Sequence, residues 1–124
     1  MAATTPSGRR VDPVTHLFRA TRHSLRGLAG AFASELAFRL DVLLFVALTP
    51  LALWLGKTGI ERALLIGSML LLLIVELLNT GIEKAIDRIS LEHHRLSGLA
   101  KDTASAAVFC ALVNVVAVWL LVLW

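Results

Sequence analysis

Residues 63–87 read ALLIGSMLLLLIVELLNTGIEKAID, apolar without a break from Met69 to Val75 and then acidic at regular intervals. The stretch 63–82 is long enough to cross a hydrocarbon core of ~30 Å as a helix. A carboxylate inside such a span is costly and marks function more often than structure. At a helical turn of 100° per residue, Glu76, Asn79, Glu83 and Asp87 fall within about 80° of one another, with Thr80 bordering the same face. The seven residues from Glu76 to Glu83 span about 10 Å along the axis. Glu76 is therefore expected within the lipid layer, and Glu83 at the interface, where water, metal ions and soluble substrates arrive.

Two further stretches flank this one: LAFRLDVLLFVALTPLALWLG at 36–56 and ASAAVFCALVNVVAVWLLVLW at 104–124. The chain has 124 residues, is 57% hydrophobic and has a mean hydropathy of +0.79, well above the ordinary apolar share of soluble domains. This predicts an all-α membrane protein of one domain with three spanning helices. Pro50 is expected to kink the first span or mark a local break in it. Arg39 and Asp41, near its start, can snorkel or pair. The turn 56–62 (GKTGIER) is short, so the first two spans are antiparallel neighbours. The extension 83–89 (EKAIDRI) continues the second helix into the cytoplasm. Ser97-Gly98 reads as a turn, with Asp102 or Thr103 capping the third helix.

Before the first span, residues 14–33 form an amphipathic pattern. Val14, Leu17, Phe18, Leu25, Leu28, Ala29 and Phe32 share one face, Arg19, Arg22 and Arg26 its flank, and His16 and His23 the other side. That is a helix lying in the membrane interface with its arginines among lipid phosphates. Residues 1–13 (MAATTPSGRRVDP) are small, polar and proline-bearing, and are expected to fray. No signal peptide is legible, so the first span is expected to act as its own insertion signal.

The basic residues set an expected orientation. Six precede or begin the first span (Arg9, Arg10, Arg19, Arg22, Arg26 and Arg39), and four occupy the 83–103 connection (Lys84, Arg88, Arg95 and Lys101). Only Lys57 and Arg62 lie in the intervening turn. The positive-inside rule places the N-terminus and the 83–103 connection in the cytoplasm and the C-terminus outside. The net charge of +3 reads as contact with anionic headgroups, and no basic face with interleaved aromatics points to nucleic acid. Cys110 is the one cysteine, a packing residue of the third span, so no internal disulfide can form.

Two carboxylates at different depths suit two roles. A carboxylate removed from water takes up a proton more readily and can act as a base near neutral pH. An interfacial carboxylate beside a second acid suits Mg²⁺, which takes one or two carboxylates together with phosphate oxygens and water. Glu35, where the interfacial helix meets the first span, is the candidate second ligand. Lys101 and Asp102 return to the same interface. Asn79 and Thr80, taken singly, could be interhelical hydrogen-bonding glue, and Asp87 a solvated helix end. Neither a G-x-x-x-x-G-K-[ST] loop nor a G-x-G-x-x-G loop is present. The residues alone support metal-assisted chemistry on a lipid at an intramembrane carboxylate site. A small proton-coupled exporter using Glu76 is the alternative of another class.

The run E76-L-L-N79-T-G-I-E83-K-A-I-D87 resembles the signature of the prokaryotic diacylglycerol kinases, small trimeric membrane enzymes unrelated to soluble lipid kinases. The resemblance extends through E35-L-A-F38-R39, Arg62, the run from Glu92 through His94, Ser97, Gly98, Lys101, Asp102 and Ser105, and the pair Trp119 and Trp124. It implies a homotrimer with sites shared between subunits, in a bacterial inner membrane. It also implies transfer of the ATP γ-phosphate to the free hydroxyl of diacylglycerol, giving phosphatidic acid, with Mg²⁺; undecaprenol is the alternative acceptor within the family. Carried over by position, Glu76 resembles the general base, supported by Asn79 and Lys101. Glu35 and Glu83 resemble the ligands of the metal that holds ATP. His16, His23, Glu92, His93, His94, Lys101 and Asp102 correspond to the surroundings of the nucleotide. Arg39, Arg62, Ser105 and Trp119 correspond to the lipid side, as does Glu76. The chain departs from the family pattern at His16, commonly arginine, at His23, commonly aromatic, and at Gly81, commonly alanine or serine.

Overall fold

The computed structural model describes residues 12–124. Arg9, Arg10 and the rest of 1–11 lie outside the described residues, as does most of the stretch expected to fray. The described chain is all-helical: α1 (Pro13–Ser34), α2 (Leu36–Leu55), α3 (Gly59–Ile89) and α4 (Arg95–Leu123). Pro13 opens α1 at a position where its missing N–H costs nothing. The helices α2, α3 and α4 are each long and apolar enough to cross a membrane.

The junction of α1 and α2 is one residue. Glu35 is extended (φ −119°, ψ 114°), its N–H bonding back to Ala31 and its carbonyl accepting from Arg39. This corner turns the chain from α1, whose apolar side chains stay outside the fold (Phe18 is 73% exposed), into the first span. An apolar stripe with no protein against it fits a helix lying on lipid. Pro50 lies within α2, which runs through it without the local break that was one of the two outcomes expected there. The Thr49 hydroxyl donates to the Phe45 carbonyl one turn earlier.

The turn into α3 is fixed by side chains. Thr58 caps the helix by accepting from the Glu61 N–H at 3.1 Å, and the Glu61 carboxylate accepts from the Lys57 N–H at 2.7 Å. This is a capping box displaced by one residue. Arg62 Nε donates back to the Gly56 carbonyl at 2.9 Å. Gly56 needs no unusual backbone there, but it needs room. A Cβ would stand 2.6 Å from Arg62 Cγ and 2.9 Å from the Ala52 carbonyl oxygen, and the latter belongs to the helix backbone. Gly56→Ala is therefore expected to destabilise the fold by about 1–3 kcal/mol, read as a lower unfolding temperature in detergent. An unchanged midpoint would refute this close packing.

Helix α3 packs against α1, α2 and α4. Met69 and Leu72 of α3 meet Ala111 and Val115 of α4, with Phe45, Leu48, Val75, Val108 and Trp119 around them. The Trp119 indole donates to the Leu65 carbonyl at 3.2 Å, tying the far ends of α3 and α4 together. Outside this seam the large apolar side chains face outward, as lipid permits (Leu121 is 82% exposed).

The last connection corrects the sequence reading. Ser97 and Gly98 lie inside α4, which begins at Arg95 and is capped neither by Asp102 nor by Thr103. The cap is His94, whose Nδ1 accepts from the Leu96 N–H at 3.1 Å. The Gly98 N–H continues the helical pattern to the His94 carbonyl at 3.0 Å. A side-chain cap three residues before Ser97 outweighs the weak helix preference of Ser-Gly, leaving only Ser90–His94 as loop.

Candidate functional site

The acidic stripe is continuous because α3 is. Glu76 is buried, at 5% exposure, and Thr80 beside it is also buried. Asn79 and Glu83 are half-buried, and Asp87 is exposed where α3 ends. Asp41, Glu83 and Glu35 all lie close enough to Glu76 to act on it electrostatically. Four carboxylates thus converge from α2, α3 and the α1–α2 corner.

Glu35 reaches this cluster because the corner holds it there. Its carboxylate makes no capping hydrogen bond and instead pairs with Lys84 Nζ at 3.4 Å. Asn79 Oδ1 is buried with no hydrogen-bond partner. An orphaned acceptor beside two carboxylates is a hard oxygen donor set, which suits Mg²⁺ when phosphate oxygens and water complete the shell. No group of three His, Cys, Asp or Glu side chains forms a metal cage among the described residues, so the chain offers a partial set.

Two concavities adjoin the stripe, one beside it and one at its Asp87 end. The first is an apolar groove of about 600 Å³ between α1 and α3, walled by Gly27, Gly30 and Ala31 on one side and Leu77, Gly81 and Lys84 on the other. Its α3 wall, Leu77, Thr80, Gly81 and Lys84, follows the i, i+3, i+4, i+7 rule and borders the acidic face. Nothing lies within 4 Å of a Cβ built at Gly27, Gly30 or Gly81, so the three glycines leave open space there. The second is a polar pocket of about 200 Å³ where α3 gives way to α4. It is lined by Asp87, Glu92, His93, His94 and Lys101, among others.

The loop Ser90–His94 presents Glu92, His93 and His94 between the two helices. Ser90 Oγ accepts from the Glu92 N–H at 3.0 Å, and His94 caps α4. With its Nδ1 accepting, a neutral His94 carries its proton on Nε2, which remains a donor. Lys101 Nζ bonds Asp87 at 2.6 Å, closing α4 onto the end of the stripe.

The structure therefore gathers Glu76, Asn79, Glu83 and Glu35 in one cluster, and Glu92, His93, His94 and Lys101 in an adjoining pocket. Other expected site residues stand apart. His16 and His23 are exposed on α1 and make no side-chain hydrogen bond or ion pair among the described residues. Asp102 and Ser105 are exposed on α4, and Arg39 on α2, without such partners there. Arg62 is fourteen residues before Glu76, about 21 Å along α3, and is engaged with Gly56. Trp119 is at the same remote end, bonded to Leu65. Asp41 was read from the sequence as a snorkelling or Arg39-paired residue, yet it is half-buried and lies near Glu76. The available signal was its place six residues after Glu35, inside an apolar run.

The chain is similar to known proteins over most of its length. Residues 22–123 match the model of the prokaryotic diacylglycerol kinase family. The chain belongs to that family. Among relatives named diacylglycerol kinase, that of Haemophilus influenzae is 50% identical over 106 residues, covering 86% of this chain and 90% of its own length. That of Pseudomonas aeruginosa is 50% identical over 107 residues, covering 86% and 87%. That of Escherichia coli K12 is 43% identical over 110 residues, covering 89% and 90%. The match includes every acid of the stripe, while His16 precedes it. As a member of the diacylglycerol kinase family with three helices able to span a bilayer, the chain is a multi-pass bacterial membrane protein.

Proposed function

We propose that this chain transfers the γ-phosphate of ATP directly to the free hydroxyl of diacylglycerol, with Glu76 as base and Mg²⁺ held by Glu35 and Glu83. The observation that carries the reading is an acidic stripe bordered by an apolar groove and ending at Asp87 in a polar pocket. The apolar groove between α1 and α3 suits acyl chains, and the polar pocket at Asp87 and Lys101 suits a nucleotide. The stripe lies where a hydroxyl at the end of the first meets a phosphate at the end of the second.

The buried Glu76 carboxylate takes the hydroxyl proton as the lipid oxygen forms its bond to the γ-phosphorus. The bond from that phosphorus to the β–γ bridging oxygen breaks, and ADP leaves. Asn79 orients the reacting groups through its unpartnered Oδ1 or its amide. Lys101, His94 and Glu92 position the nucleotide. Bound Mg²⁺ supplies charge neutralisation on the phosphates, the main demand of phosphoryl transfer. Arg62 on α3 and Trp119 on α4 stand at the far end of the bundle from the acids, where only the distal part of a lipid could meet them.

We place the N-terminus and the 83–103 connection in the cytoplasm, where ATP is. The assembly is a homotrimer with composite sites. Two features support this: the polar pocket of one chain, about 200 Å³, is smaller than the ~300–1,000 Å³ of ordinary ligand sites, and His16 and His23 have no partner among the described residues. A neighbouring subunit supplies the missing wall.

Purified protein in lipid, given γ-labelled ATP, Mg²⁺ and equal amounts of diacylglycerol and undecaprenol, tests the reading. Label in phosphatidic acid is expected. Label confined to undecaprenyl phosphate would move the substrate to the other lipid alcohol, and label in neither would refute the kinase assignment for this site.

A further inference from the structure

Lys84 has no part in the transfer as derived above, yet it belongs to both the acidic cluster and the apolar groove. It follows Glu83 in sequence, lines the apolar groove, and pairs with Glu35 at 3.4 Å. Glu35 makes no capping hydrogen bond, and Lys84 is its one ion-pair partner among the described residues. A proposed metal ligand is thus held by an ammonium group rather than by the backbone. The pair is open to solvent, with side chains 55% and 30% exposed, so it is weak and displaceable.

We propose that Lys84 is the resident counter-ion of the metal site, holding Glu35 until a divalent cation arrives and then binding a phosphate of the nucleoside triphosphate. The proposal rests on Glu35 and Glu83 being the metal ligands. An ammonium and a dication compete for the same carboxylate, so the metal releases Lys84. The flexible four-carbon stem lets Nζ swing without any backbone change. The nearest new anion is the phosphate chain that the metal brings with it. The same side chain therefore weakens binding of the metal alone and strengthens binding of the metal–nucleotide complex.

These opposed effects give the test. Full-length protein in lipid is titrated with Mn²⁺ without nucleotide, followed by electron paramagnetic resonance, and separately with a non-hydrolysable ATP analogue plus Mg²⁺, followed by calorimetry. Lys84→Met is expected to tighten Mn²⁺ by about two- to fivefold and weaken the analogue by a similar factor, as befits an exposed pair. Lys84→Arg is expected to restore both to within about twofold. A lysine with a merely structural role would move neither constant, or both in one direction, and either result overturns the proposal. Glu35→Gln separates this from failure of the underlying reading. Loss of Mn²⁺ in Glu35→Gln, with no shift in Lys84→Met, rejects the counter-ion role alone. Mn²⁺ binding indifferent to Glu35→Gln rejects the ligand assignment and the counter-ion role with it.

Discussion

Glu76→Gln is expected to lower kcat by about 10²–10⁴-fold while leaving affinity for Mg-ATP within about twofold of the parent. Glutamine matches glutamate in shape and keeps the helix, but it cannot take a proton from a lipid hydroxyl. The residue is buried within α3, about one turn from Asn79 and three turns from Asp87, and it does not line the polar pocket proposed for the nucleotide. Removing its charge therefore acts on transfer and not on nucleotide capture. The fold should not suffer, since a buried charge among Asp41, Glu83 and Glu35 is replaced by a neutral amide. An unfolding temperature equal to or above the parent's would show that lost turnover is not misfolding. Loss of nucleotide binding in this variant would mean that Glu76 has the metal role instead.

Glu83→Gln is expected to produce the opposite division, with KM for Mg-ATP raised by about tenfold or more and kcat at saturation much less affected. Its carboxylate is half-buried, about two turns along α3 from Glu76 and one turn from Asp87, which lines the polar pocket proposed for the nucleotide. A neutral amide there retains an oxygen but loses the charge that attracts a divalent cation. Steady-state kinetics at varied Mg²⁺ and fixed ATP distinguish the two variants. A fall in kcat at saturating metal and nucleotide, with KM unchanged, would contradict the division by depth.

Much of this site was legible in the sequence because it lies on one helix. Angular spacing along α3 depends only on 3.6 residues per turn, so the stripe from Glu76 to Asp87 could be laid out before any packing was known. The spans were legible for a similar reason, since uninterrupted apolar runs have few other homes. What required the structure is what depends on a corner or a long-range contact. The convergence of Glu35 on Glu76 and its pairing with Lys84 follow from one extended residue between α1 and α2. Asp41 joins the cluster only because α2 packs on α3. The start of α4 was misread because Ser97-Gly98 is a turn signal by composition, whereas the His94 side chain had already begun the helix. Arg62 and Trp119 lie far from the acids because α3 is long and both are engaged at its other end.

A stripe that aligns a lipid hydroxyl with ATP calls for a single direct displacement. The stereochemical course at phosphorus tests it most directly, using ATP made chiral at the γ-phosphorus with oxygen isotopes and diacylglycerol as acceptor. One in-line transfer predicts phosphatidic acid with inverted configuration. Retained configuration would require two displacements through a phosphorylated side chain, and would contradict the account.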